Sequence, residues 1–228
     1  MTVEIAGVSP NKNTPVSCEA DHRIANHLAI LSSLLHLQAQ QVSKKNVAMT
    51  GEEVGAVLNE FGARLDTLAK VHRLLATRPE GAPIDVAEYL KDVARNVVST
   101  LSGLGETALN FRLAGPCLVA ADKAVALGLL IGELVTNATK YAHPAGVKGS
   151  LQISSSRRDD ATIAFEVTDD GVGLPDGLDP LTSSSLGFRI VRALAEKVEG
   201  KLSFENYGLG LNCVLTIPHH AATLRLVS

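Results

Sequence analysis

Apolar residues in the first third of the chain recur at three- and four-residue steps. Ile24, Leu28, Leu31 and Leu35 form one stripe, the period of an amphipathic helix. Ser17 is the expected N-cap and Glu19 stands in the expected first turn, so a helix is predicted to start there. After a turn at Thr50-Gly51, Val54, Leu58, Phe61, Leu65, Leu68, His72 and Leu75 repeat the rhythm and stop before Pro79. Two such helices make a hairpin. Its long apolar stripes invite a second hairpin, giving a four-helix bundle by dimerisation.

The pattern changes after Glu80-Gly81. A helix is predicted over about 86–101, then short alternating segments near 110–113 and 117–120, then a strongly apolar helix over about 123–142. Strands follow at 151–155 and 162–168, the second with Ile163, Phe165 and Val167 on one face. A glycine-rich loop, a helix near 187–199, and strands near 201–206 and 211–217 complete the chain. Mixed strands and helices imply an α+β sandwich rather than a doubly wound parallel sheet. The expected division is a flexible arm over 1–17, the helical hairpin over 18–80, the α+β domain over 81–220 and a tail over 221–228.

Composition narrows the class. A chain of 228 residues with 46% apolar composition can bury a proper core in one or two domains. No apolar run approaches the roughly 20 residues of a membrane span, and residues 1–10 lack the basic start and apolar core of a signal peptide. The expectation is a soluble cytoplasmic protein. A net charge of −3 with both signs dispersed argues against a nucleic-acid partner. Cys18, Cys117 and Cys213 are far apart, suit a reducing compartment and lack zinc-ligand spacing.

Candidate chemistry lies in four places. His22 is two residues before Ile24, roughly 200° around the axis, so it points away from the apolar stripe. Its face continues through Asn26, Ala29, Ser33 and His36, polar or small throughout. An imidazole there is accessible and titrates near neutrality, although by composition alone a solvated surface histidine is the commoner reading. A metal site is disfavoured: His27 is on another face, and His36 is about 21 Å along the axis from His22. On the apolar helix, Glu133 and Asn137 are four apart and share a face, with Lys140 and Tyr141 one turn on. A carboxylate and a carboxamide so stacked, with a lysine one turn on, can hold a hydrated divalent cation beside phosphate oxygens. Polar groups on so apolar a helix need a reason. The loop VTDDGVGLPDG leaves a strand end at Asp169, which can accept a hydrogen bond from a ligand, while Gly171 and Gly173 would let backbone approach that ligand closely. It is neither a dinucleotide fingerprint nor a phosphate loop, because the glycine spacing is wrong and no Gly-Lys-Ser/Thr follows. A helix N-terminus near Gly187 could meet phosphate.

Together these segments resemble the sensor histidine kinases, specifically the His-Arg (HisKA_2-type) dimerisation subfamily with a GHKL ATP-binding domain. Its Glu-x-x-His-Arg-x-x-Asn-x-Leu helix is matched by Glu19, His22, Arg23, Asn26 and Leu28. LAKVHRLL resembles the family's second helix and IDVAEYLKDV its entry to the ATP-binding domain. ELVTNATKYA resembles its asparagine box, DDGVGLP its first glycine box and SLGFRIVRALAEKVEGKL its second. The match runs in order from about Glu19 to Pro218. The resemblance implies that His22 accepts the phosphoryl group, with Arg23 and Asn26 flanking it in the catalytic set and Glu133 orienting or deprotonating. It implies Asn137 as the Mg2+ ligand, Asp169 as the partner of the adenine amino group, and Lys140 and Tyr141 beside the nucleotide. Gly171, Gly173 and Gly187 would shape the ATP pocket and its lid.

The chain departs from the pattern at Ala25, where many relatives have Lys, and at His27, where many have Asn. The second glycine box keeps only Gly187, and no phenylalanine box stands out. The related HWE subfamily is disfavoured by Gly132 before Glu133 and by the lack of Trp. The implied function is autophosphorylation of His22 from Mg-ATP and transfer to an aspartate of a response regulator receiver domain. The implied state is a homodimer through the hairpin, with a separate sensor or upstream regulator supplying the signal. A histidine phosphotransfer relay with a degenerate ATP domain is the alternative. A regulator that only sequesters a partner is a third reading, which the His22 helix opposes.

Overall fold

The computed structural model describes residues 15–44, 48–76, 82–101, 107–113, 115–144, 147–159, 161–207 and 209–218, the side chains of 15–23, 27, 41, 44, 75, 76 and 122 excepted. Helix α1 spans Pro15–Lys44 and α2 spans Gly51–Ala76. The start of α1 corrects the expected one: the helix opens at Pro15, ahead of Ser17, on a residue whose missing N–H costs nothing in a first turn. Thr50 closes the start of α2. Its Oγ1 accepts from the Glu53 N–H at 3.2 Å while Glu53 Oε2 accepts from the Thr50 N–H at 2.8 Å, a reciprocal capping box.

Each expected stripe is covered in part within the chain and open in part. On α1, Leu31 and Leu34 are buried, whereas Ile24, Leu28 and Leu35 are 44%, 55% and 47% exposed. On α2, Arg64, Thr67, Leu68 and Val71 are buried, but Val54, Leu58 and Leu65 are exposed. The cause is the neighbour: α2 packs mainly on the two following helices rather than on α1. Its inward face is therefore set by that contact.

The remainder is a two-layer sandwich. Strand β1 (Ile84–Asp85) pairs antiparallel with β3 (Leu118–Val119). Helix α3 (Ala87–Thr100) starts where Asp85 Oδ1 accepts from the Ala87 N–H at 3.1 Å. Strand β2 (Thr107–Leu113), helix α4 (Ala121–Tyr141), strands β4 (Gly149–Arg157) and β5 (Thr162–Asp169), helix α5 (Leu186–Lys197), and strands β6 (Lys201–Asn206) and β7 (Leu211–Pro218) follow. The five-stranded sheet has the order β2-β4-β5-β7-β6. Only β2 and β4 run parallel in it, because α4 crosses between them.

One sheet face is core. Leu151 and Ile153 on β4, Ile163, Phe165 and Val167 on β5, and Cys213, Leu215 and Ile217 on β7 are buried against the helices. The alternate positions, among them Gln152, Ser154, Glu166 and Thr168, are partly exposed, the usual state of a sheet covered on one side. Every residue of α4 from 124 to 135 is buried, since α2, α3, α5 and the sheet surround it. Among the described residues, no helix is long and apolar enough to cross a membrane.

Candidate nucleotide site

A cavity of about 590 Å³ opens between α2, the second half of α4, the loop after β5 and the start of α5. That volume suits a small organic ligand. Glu133, Asn137, Lys140, Tyr141, Asp169, Gly173 and Gly187 all line it. Their segments are far apart in sequence, so the fold unites what the motifs only suggested. Gln38, Glu60 and Arg64 of the helical hairpin line it too.

Asp169 sits at the end of β5. Its Oδ1 accepts from the backbone N–H of Gly171 at 3.0 Å and of Leu211 at 3.2 Å. Oδ2 accepts no hydrogen bond among the described residues. Burial pushes this carboxyl above the ordinary aspartate range, more than the two N–H groups and His143 pull it down. Its neighbour Asp170 shifts the other way. Burial raises it, but the Ser150 N–H at 2.7 Å and His143 Nε2 at 2.8 Å outweigh that. Two adjacent aspartates are thus set apart: one desolvated at the cavity, one tied into the loop's support.

The glycines of these loops serve different purposes. Gly171 does not line the cavity. A Cβ there would stand 2.3 Å from the Ala142 carbonyl oxygen, so its smallness lets the loop seat on the end of α4, where the Val172 N–H bonds that carbonyl at 2.9 Å. Gly173 does line the cavity, at φ 71° and close against Asn206 Oδ1. Gly210, which the motif reading passed over, has φ 130°, and a Cβ on it would lie 2.1 Å from the Asp169 carbonyl oxygen. It admits the Asp169 backbone beside β7. Gly187 opens α5 against Asn137, whose Oδ1 would be 3.0 Å from a Cβ there, so glycine keeps that carboxamide uncovered.

On α4, Glu133 is engaged. Arg64 Nε donates to its Oε1 at 2.6 Å and Arg64 Nη2 to its Oε2 at 3.1 Å, with both side chains 7% exposed. Burial works against the guanidinium charge, but Glu133 outweighs it and Arg64 stays protonated. In this arrangement each Glu133 oxygen accepts from Arg64 and the carboxylate is held in one orientation. Lys140 pairs with Glu60 one turn earlier on α2. Neither Arg64 nor Glu60 emerged from the motif reading. A signal existed, since Arg64 stands three after Phe61 and four before Leu68 and so intrudes on the apolar face of α2.

His22 and Arg23 are carried by α1, but their side chains lie outside the described residues. Asn26, Ala29, Ser33 and His36, the face on which His22 was placed, are exposed. Among the described residues no group of three or more His, Cys, Asp or Glu is placed to hold a metal ion. Asn137 fits Mg2+ in the other way, as one protein oxygen on an ion whose remaining ligands are water and phosphate.

Comparison with known proteins places these features. The family profile described as histidine kinase matches residues 19–101. The profile described as histidine kinase-, DNA gyrase B- and HSP90-like ATPase matches 122–221. Blue-light-activated histidine kinase 2 of Erythrobacter litoralis is 27% identical, over 92% of this chain and 60% of that protein. Sensor histidine kinase PdtaS of Mycobacterium tuberculosis is 31% identical, over 88% of this chain and 38% of that protein. The chain therefore spans between about two fifths and three fifths of the length of these relatives. The solved histidine kinase domain of a blue-light activated histidine kinase from Erythrobacter litoralis superposes with a TM-score of 0.68 at 26% identity, covering 88% of this chain and 89% of that one.

Proposed function

The chain belongs to the histidine kinase family, and we propose that it autophosphorylates His22 from Mg-ATP and passes the phosphoryl group to an aspartate of a response regulator receiver domain. Residues 18–80 serve as the dimerisation and phosphotransfer hairpin, and 81–220 as the ATP-binding domain. The observation that carries this reading is the convergence of Asp169, Asn137 and Lys140 on one cavity. Asp169 Oδ2, flanked by an oxygen already held by two backbone N–H groups, is a rigid acceptor for the adenine amino group. Asn137 supplies an oxygen to Mg2+, and Lys140 brings positive charge to the phosphates. ATP provides the phosphoryl group and Mg2+ neutralises charge on it; the protein positions and screens, which is most of what phosphoryl transfer requires.

The exposure of Asn26, Ala29, Ser33 and His36, the face to which helical phase assigns position 22, supports His22 as the acceptor. Exposed Ile24, Leu28, Leu35, Val54, Leu58 and Leu65 support a homodimer, since a second hairpin would cover them. The test is incubation of the full chain with radiolabelled ATP and Mg2+. The expected label is acid-labile and is lost in His22→Ala and in Asn137→Asp. Nucleotide binding without label would move the reading to a phosphotransfer relay, and label surviving His22→Ala would remove His22 as the acceptor.

A further inference from the structure

Two buried side-chain polar atoms among the described residues lack a hydrogen-bond partner, Arg64 Nη1 and Gln38 Oε1. Both residues come from the helical hairpin and both line the cavity that holds Asn137, Lys140 and Asp169. A buried donor without a partner is costly and calls for an explanation. Glu133 takes one edge of the Arg64 guanidinium, through Nε and Nη2. It neutralises the charge and leaves Nη1 unused, and a planar guanidinium has room on its other edge for a second oxyanion.

The position of that edge selects the anion. The Asp169 loop seats on Ala142, at the C-terminal end of α4. Glu133, with Arg64, stands nine residues back along the same helix, about 13 Å at 1.5 Å per residue, and Asn137 lies between. A nucleotide with its base at Asp169 and its metal-bound phosphates at Asn137 brings its terminal phosphate toward Arg64. The second orphan fits the same occupant: Gln38 Oε1 is an acceptor, and water on a phosphate-bound cation is a donor.

We propose that Arg64 is a nucleotide-binding residue whose free edge donates to the terminal phosphate of ATP, so that α2 completes in cis a site otherwise built by the sandwich. This rests on the nucleotide reading of the cavity and adds a contact that distinguishes ATP from ADP. The competing explanation is local. Arg64 also borders a small cavity of about 20 Å³ between α2, α3 and α4, room for one water, and on that reading Nη1 serves only that water.

Binding of ATP and of ADP, each with Mg2+, to the full-length chain by calorimetry separates the two. Arg64→Lys keeps a cation for Glu133 but loses the second edge, and it is expected to weaken ATP about tenfold while ADP binds as in the wild type. The double variant Arg64→Gln/Glu133→Gln, which leaves no buried charge, provides the same comparison if the lysine variant does not fold. Equal loss for both nucleotides, or no loss for either, overturns the proposal while the kinase reading stands. A wild-type chain that binds neither nucleotide overturns both.

Discussion

The helical hairpin and the sandwich treat their apolar residues in opposite ways. In the sandwich, Phe165, Leu151, Leu130 and Ile190 are 1% exposed or less, and one chain supplies the whole core. In the hairpin, Leu58 is 64% and Leu28 55% exposed although both sit on regular helical stripes. The difference shows that apolar periodicity specifies a face to be covered without specifying what covers it. A sheet with three helices on one side closes within a chain. A pair of helices has a second face, and here α2 spends one face on α3 and α4 while the other remains open.

The largest effect expected from breaking this contrast is in the sandwich. Phe165→Ala should cost about 3–5 kcal/mol through lost burial and a residual cavity, read by urea denaturation. A cost below about 1 kcal/mol would mean the sheet face is not packed as described. A smaller and different effect is expected in the hairpin. Leu28→Ser with Leu58→Ser should leave the melting of the sandwich unchanged but shift solution mass from dimer toward monomer, by about 1.5 kcal/mol or more for each leucine side chain covered by the partner. Unchanged mass in light scattering would remove this face as the dimer contact.

The smallest expected effect is a pH dependence at the seam. The folded carboxyl of Asp169 titrates above its unfolded value because burial dominates. Its contribution to stability is therefore fully present below the unfolded pKa and lost as pH rises through the folded one. Keeping it ionised at neutral pH costs the free protein stability. A bound adenine amino group would offset that cost, and ATP affinity should fall, on acidification, at a higher pH than an ordinary aspartate would give. Asp169→Asn retains an oxygen for the Gly171 and Leu211 N–H groups, so it should melt no lower than wild type at neutral pH while losing ATP affinity. A drop in melting temperature would show instead that the charge is needed for the fold.

Much of the architecture was legible from periodicity. The helices at α2, α3, α4 and α5 and the strands β4 to β7 fall within a few residues of the alternation and 3.6-residue patterns that announce them. Strand β1 was not legible, because two residues carry no period; it exists through pairing with β3. Of the candidate site, Asn137, Asp169 and Gly187 could be picked out because a carboxamide on an apolar helix and glycines after a strand are locally odd. Glu60 was hidden on an ordinary amphipathic helix and Gly210 in a loop with no motif, while Arg64, odd on the apolar face of α2, gave no sign of its partner. What makes each of them matter is a contact with a residue dozens of positions away.

By itself, the sequence determined the local elements and the residue types available for chemistry, because helix and strand periods and glycine's freedom are properties of short segments. It also determined that Glu133 and Asn137 share a helix face. Tertiary structure alone decided which apolar stripe is covered and that Gly171 serves the loop's packing. It likewise decided that Glu133 is clamped by Arg64 and that the hairpin forms one wall of the cavity. Burial, desolvation and ion pairing depend on which surfaces meet, and no short segment contains both sides of such a contact.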